Sequence, residues 1–175
     1  MRMLNEITIH GSVTDPDWMA GRPLAEKVAE IRRWHLNRGF NDIGYHFVVD
    51  RDGEVAAGRA VERLGAGVAG QNTGKIHICL LGGRGGVGDD VFETHYTADQ
   101  DTALRNLIDD LQDDHGAMAV RGHNDHAATA CPQFDVAAWL SEFETARITA
   151  PVPEDPFDAP RWLRRIIALF TGGRA

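Results

Sequence analysis

The chain has 175 residues, 43% hydrophobic and 25% charged, which fits one folded domain of ordinary size with a short appendage and excludes wholesale disorder, collagen and a multi-span membrane protein. Its 18 basic and 26 acidic residues give a net charge of −8, which argues against a general nucleic-acid binder, because phosphate contacts need a basic face. The charge is uneven. Residues 161–175 hold Arg161, Arg164, Arg165 and Arg174 and no acid, and setting those four positive charges aside from −8 leaves −12 for the rest.

Ile7, Ile9 and Val13, with Thr8 and His10 between them, alternate as a first strand that Asp15, Pro16 and Asp17 break. Over 23–36 apolar residues fall at Leu24, Val28, Ile31 and Leu36, with Pro23 and Gly39 where helix ends accept them, so an amphipathic helix is expected. Residues 45–49 read as a second strand, and Asp52 and Gly53 as the turn of a hairpin into 54–57. Residues 64–74 carry four glycines and form a loop. The apolar run after it, to Leu81, reads as a buried strand, and 82–86 as a mobile glycine segment. Thr97 and Asp101 open a second helix with Leu104, Leu107, Ile108 and Leu111 on its apolar face, ending at Gly116. Met118 to Val120 form a short strand, and Asp135 precedes a last helix carrying Val136, Trp139, Leu140 and Phe143.

Strands alternating with helices predict an α/β domain over 1–150, a single mixed β-sheet with helices packed on it. Pro151, Pro153 and Pro156 mark a linker over 151–160, since proline cannot continue a helix. Residues 161–175 follow as a basic amphipathic tail helix. It is too short to span a bilayer, but it could lie on an anionic membrane surface or dock on its own domain or on a second copy. The first residues show no apolar leader and no stretch reaches the ~20 apolar residues of a membrane span, so a cytoplasmic protein is expected on synthesis.

Two cysteines, Cys79 and Cys131, are too few for a disulfide framework, and Cys79 in its apolar run is expected to be a buried free thiol. Among the eight histidines, context singles out His10 at the end of the first strand and His123 after a later one, with Cys131 eight residues on. Strand ends of α/β sheets open into the crevice where ligands bind. Two imidazoles and a thiolate suit Zn2+ and leave a fourth position for water. The spacing alone equally admits three ordinary surface or core residues. By the same reasoning Tyr45 reads as a half-buried strand aromatic, and Asp135 as a helix cap or as a partner for a ligand imidazole.

Several blocks in order resemble one family. Ile7-Thr8-Ile9-His10-Gly11-Ser12-Val13-Thr14 is followed by Arg32-Arg33-Trp34-His35, Gly44-Tyr45-His46-Phe47-Val48-Val49 and Arg51-Asp52-Gly53. Then come Gly70 and Asn72, Cys79-Leu80-Leu81-Gly82-Gly83, Tyr96-Thr97 with Gln100, and Gly122-His123 with Ala130-Cys131-Pro132 and Phe134-Asp135. This collinear series resembles the zinc-dependent N-acetylmuramoyl-L-alanine amidases shared by phage lysozymes and peptidoglycan recognition proteins. The resemblance implies that His10, His123 and Cys131 are the zinc ligands and that Tyr45 is the catalytic tyrosine. It places Thr129 two residues before the ligand cysteine, where relatives carry lysine or threonine. It implies hydrolysis of the amide between N-acetylmuramic acid and L-alanine in peptidoglycan by a phage-type endolysin that acts on the cell wall after release. A non-catalytic peptidoglycan-binding module and a cytoplasmic muropeptide-recycling amidase are the alternatives. Gly67 departs from the pattern, because several relatives have a histidine there. His35 is expected to line the groove or pack, His46 to serve the core or support the site, and His77, His95, His115 and His126 to play no part in it.

Overall fold

A computed structural model describes residues 2–149 of the chain, with side chains described through residue 142. The expected linker over 151–160 and tail helix over 161–175 lie outside the described residues. The chain divides into two compact units, Met1–Leu140 and Ser141–Ala175, and the sheet and the site belong to the first.

Five strands form one mixed sheet: β1 (Glu6–Gly11), β2 (Phe47–Val49), β3 (Val55–Ala57), β4 (Lys75–Leu80) and β5 (Ala119–Gly122), in the order β3-β2-β4-β1-β5. Among the described strands only the β2–β3 hairpin is antiparallel, and it turns through Gly53 at φ 83, a value that glycine adopts without a Cβ penalty. The parallel core pairs His10 with Cys79 across β1–β4 and Ile9 with Gly122 across β1–β5, so these strands end together on one side of the sheet. The helices are α1 (Leu24–Asn37), α2 (Phe92–His95), α3 (Ala98–His115) and α4 (Val136–Thr149).

Side chains alternate across the two faces. Ile7, Ile9, Ile76, Ile78 and Leu80 point into the larger core, with Leu104, Ile108 and Leu111 of α3 and the aromatic group Phe92, Tyr96, Phe134 and Trp139. On the other face Val48 and Cys79 meet Leu24, Val28 and Ile31 of α1. The remainder of that second face is polar and buried: Glu6, Thr8 and His10 on β1 beside Lys75 and His77 on β4. No helix covers it. The glycine loop 64–74 does, with Gly65 and Gly67 lying directly over the rings of His46, His77 and His10.

Local signals explain the helix ends. Thr97 and Gln100 form a reciprocal capping box at α3, each side chain bonded to the other's backbone N–H at 3.1 Å. Gln100 Nε2 also donates to Leu81 O at 2.9 Å, tying the helix start to the end of β4. Asp135 caps α4, accepting from Ala138 N–H at 3.0 Å, so of its two expected roles the cap is the one realised.

Three expectations change. Leu36 is 48% exposed and His35 takes its place in the core, because Leu24, Val28, Ile31 and His35 keep the helical spacing and the next residue lies about 100° further round. Val13 falls beyond β1, with φ 58 and an exposed side chain. The short α2 has too few residues to show a period in the sequence.

Candidate metal centre

The carboxyl ends of β1 and β5 bring the site together. His10 stands one residue before the end of β1, and His123 directly follows β5, opening a 3-10 turn over His123–Asp125. Asn124 closes the loop that returns Cys131: its N–H donates to Cys131 O at 2.7 Å, and its Nδ2 to Gly88 O at 3.0 Å. Gly11 N–H donates to Cys131 Sγ at 3.3 Å. Tyr96 Oη lies 2.8 Å from Pro132 O and holds the segment after the cysteine. The outcome is a His10, His123 and Cys131 group whose ligand-type atoms all lie within 4.8 Å of one another.

That donor set fits a metal ion. His10 Nδ1 is 3.9 Å from Cys131 Sγ, while a tetrahedral zinc bonded to both atoms spans roughly 3.6 Å between them. Burial first, then the neighbouring imidazoles of His77 and His123, hold His10 well below the ordinary histidine pKa, so the ring is neutral and carries a free lone pair. Burial lowers His123 as well. It lifts the Cys131 thiol to about 11, so the thiolate form needs a cation beside it.

Tyr45 stands against this group, its ring centroid 5.2 Å from His10 on one side and 5.1 Å from His35 on the other. His35 is a supporting residue: its Nδ1 accepts from Gly44 N–H at 2.9 Å and so fixes the turn that delivers Tyr45. Gly44 is required at that turn, since a Cβ there would sit 2.6 Å from Ala66 O. Burial, then the sulfurs of Cys79 and Cys131, push the Tyr45 hydroxyl well above its ordinary pKa, so it holds its proton and can donate it in a hydrogen bond. Thr129 is exposed, and its Oγ1 accepts from Cys131 N–H at 3.3 Å, which leaves the hydroxyl hydrogen to donate elsewhere.

Residues 2–134 match the model of the N-acetylmuramoyl-L-alanine amidase family. This chain belongs to that family. The endolysin of Klebsiella phage KP32 is 36% identical over 140 residues, 80% of this chain and 87% of that protein. The endolysin of Escherichia phage T7 is 37% identical over 138 residues, 79% and 86% of the two chains. Among solved structures, N-acetylmuramoyl-L-alanine amidase LysC from Clostridium intestinale URNW shares the fold, with a TM-score of 0.65 over 82% of this chain and 87% of that one at 23% identity.

One residue of this amidase that sequence reasoning left out belongs beside the centre. His77 Nδ1 lies 3.0 Å from His10 Nε2, with both side chains buried. The signal was in the sequence: His77 interrupts an apolar run between Ile76 and Ile78, which puts it on the opposite face, the one shared with His10. Gly67 finds its reason here too. A Cβ at 67 would lie 2.5 Å from His77 Nδ1 and 2.7 Å from His10 Nε2. Asn72 Oδ1 holds this part of the loop, accepting from Gly67 N–H at 2.9 Å and Val68 N–H at 2.8 Å.

His46 precedes β2, where strict alternation does not apply, and its ring stacks on His77 at 5.7 Å and 14°. His126 joins a separate buried cluster with Glu6 at 2.7 Å, and Lys75 reaches the same Glu6 oxygen at 2.5 Å. His95 pairs with Asp90 at 2.6 Å. Cys79 is a buried free thiol, as the sequence predicts.

Proposed function

We propose that this amidase acts as a phage-type endolysin, hydrolysing the amide that joins the lactyl carbonyl of N-acetylmuramic acid to L-alanine in peptidoglycan, with Zn2+ held by His10, His123 and Cys131. The observation that carries the reading is the convergence of a buried imidazole, a half-buried one and a thiol within 4.8 Å at the strand ends, with the Tyr45 ring beside them. A zinc ion in that set supplies Lewis acidity and makes a water nucleophilic near neutral pH.

The chain's own residues do the rest. His10 and His123 offer neutral nitrogens, and Cys131 gives up its proton on binding the ion. Tyr45, whose free phenol has a pKa near 10, keeps its proton and donates a hydrogen bond to the oxygen that gains charge as the carbonyl is attacked. Thr129, beside the ligand cysteine, adds a second, neutral donor. A neutral pair stabilises the developing charge less than an ammonium group does, and orientation takes the larger share.

No helix among the described residues is long and apolar enough to cross a membrane. We read 1–150 as the catalytic domain, joined through a linker over 151–160 to a tail at 161–175 that rests on anionic membrane. Unchanged vesicle attachment after truncation at Pro151 refutes the tail assignment.

The test is digestion of purified sacculi followed by mass spectrometry. Products that expose a new L-alanine amine, lost with a chelator and restored by zinc, support the proposal. Cleavage at another bond, or full activity in chelator, overturns it.

A further inference from the structure

We infer that His77 is a positioning residue for His10: it accepts a hydrogen bond from His10 Nε2–H and so turns the Nδ1 lone pair of His10 toward Cys131 and the metal position. The inference rests on the reading of His10, His123 and Cys131 as metal ligands and assigns a role to a side chain outside that set.

A histidine that binds a metal through Nδ1 must carry its proton on Nε2, and in a buried site that proton needs an acceptor. His10 Nε2 has one, His77 Nδ1 at 3.0 Å, while Nδ1 faces the cysteine sulfur at 3.9 Å. Reversing the bond would put the proton of His10 on Nδ1, between the ring and the thiol, and block the ion. The direction of one imidazole–imidazole bond therefore separates a receptive centre from a closed one.

His77 can hold that direction because its own place is fixed. The parallel register sets it opposite Thr8, one step from the His10–Cys79 pair, on the same face. Its backbone N–H donates to His46 Nδ1 at 2.9 Å, and its ring lies flat on the His46 ring. His46 Nε2, 3.1 Å from Arg63 O, takes the complementary proton, so its tautomer is determined as well.

The glycine loop completes the arrangement. Gly67 leaves room for the ring, and the Asn72 carbonyl oxygen pins the loop backbone above it. His77 Nε2 is buried with no partner among the described residues. In this assignment it bears the second proton of the pair, so an unsatisfied donor is retained to keep Nδ1 available as an acceptor. Such a buried orphan calls for a reason, and the service to His10 supplies it.

The test compares unmodified protein with His77→Leu, which removes the acceptor, and His77→Gln, which restores one. Zinc affinity is read by competition with a chromogenic chelator, and folding by thermal melts. His77→Leu is expected to bind zinc about 10–100-fold more weakly while still folded, with His77→Gln recovering most of the loss. Long-range proton–nitrogen NMR of the zinc-loaded unmodified protein should find His10 protonated at Nε2. An affinity within twofold for folded His77→Leu, a loss that His77→Gln does not recover, or a His10 proton on Nδ1 in the loaded protein each overturns the inference. Should the Leu variant not fold, the tautomer decides alone. Failure of unmodified protein to bind one zinc ion defeats the ligand assignment instead, and the two failures are read from different samples.

Discussion

Replacing Gly67 with alanine is a severe change for a single methyl group. The new Cβ would lie 2.5 Å from His77 Nδ1, 2.7 Å from His10 Nε2 and 2.8 Å from His77 Cγ, where ordinary contact begins near 3.4 Å. Close to 1 Å of movement is needed, and neither side yields freely. The His77 ring lies between His10 and His46, at centroid distances of 5.1 and 5.7 Å, and Asn72 grips the Gly67 amide. Overpacking of this kind costs about 1–3 kcal/mol, or about 2–12 °C in Tm for a chain of this size. Gly67→Ala is expected to lose that much in urea or thermal unfolding of the zinc-free protein. His77→Gly opens a cavity and leaves His10 Nε2 unpaired, so it also destabilises. Combined, the two should cost less than their sum by about 1–2 kcal/mol, because the alanine methyl then occupies space that the ring has vacated. Losses that add to within about 0.5 kcal/mol in the double variant would refute the claim that the two positions compete for one volume.

Tyr45→Phe should keep its zinc and its fold but lose about 10²–10³-fold in kcat on peptidoglycan fragments; undiminished turnover rules out the hydroxyl as donor. Asn72→Ala leaves the Gly67 and Val68 amides without their acceptor and is expected to cost about 1–3 kcal/mol while weakening zinc binding, whereas wild-type melting and affinity would show that the loop is held by other means. Glu6 predicts an acid limit. Burial alone would raise its pKa, but hydrogen bonds from Lys75, Thr8 and His126 outweigh burial and lower it. Its stabilisation is therefore present above the unfolded carboxyl value of about 4.3 and fades as pH falls through the lower folded value. Glu6→Gln should be less stable by about 3 kcal/mol at pH 7, with a gap that closes toward pH 3; a gap constant with pH contradicts the ionic role.

What the sequence announced and what it withheld follow from range. Period, caps and turns are local, so the α1 and α3 patterns, the Thr97 and Gln100 box and the Asp52–Gly53 hairpin could be read directly. His10 lies more than a hundred residues from His123 and Cys131 in the chain, and spacing alone did not bring the three together; the collinear blocks of a known family did. His77 stayed hidden because its meaning depends on the register of β4 against β1 and on a loop that packs without side chains. Leu36 misled because the apolar residue and the core-facing one are neighbours, and His35 completes the stripe despite its polarity.

The three donors differ in how firmly the sheet grips them. His10 rides on a strand with parallel neighbours on both sides, whereas His123 directly follows β5, the edge strand of the sheet among the described residues, and Cys131 lies on the loop beyond it with its sulfur tied to Gly11 of β1. Fraying begins at such a rim. A bound ion would thus lose the His123 imidazole first, while the His10 imidazole stays seated and the Gly11 amide holds the sulfur. Strengthening the β1–β5 ladder would then slow that first step.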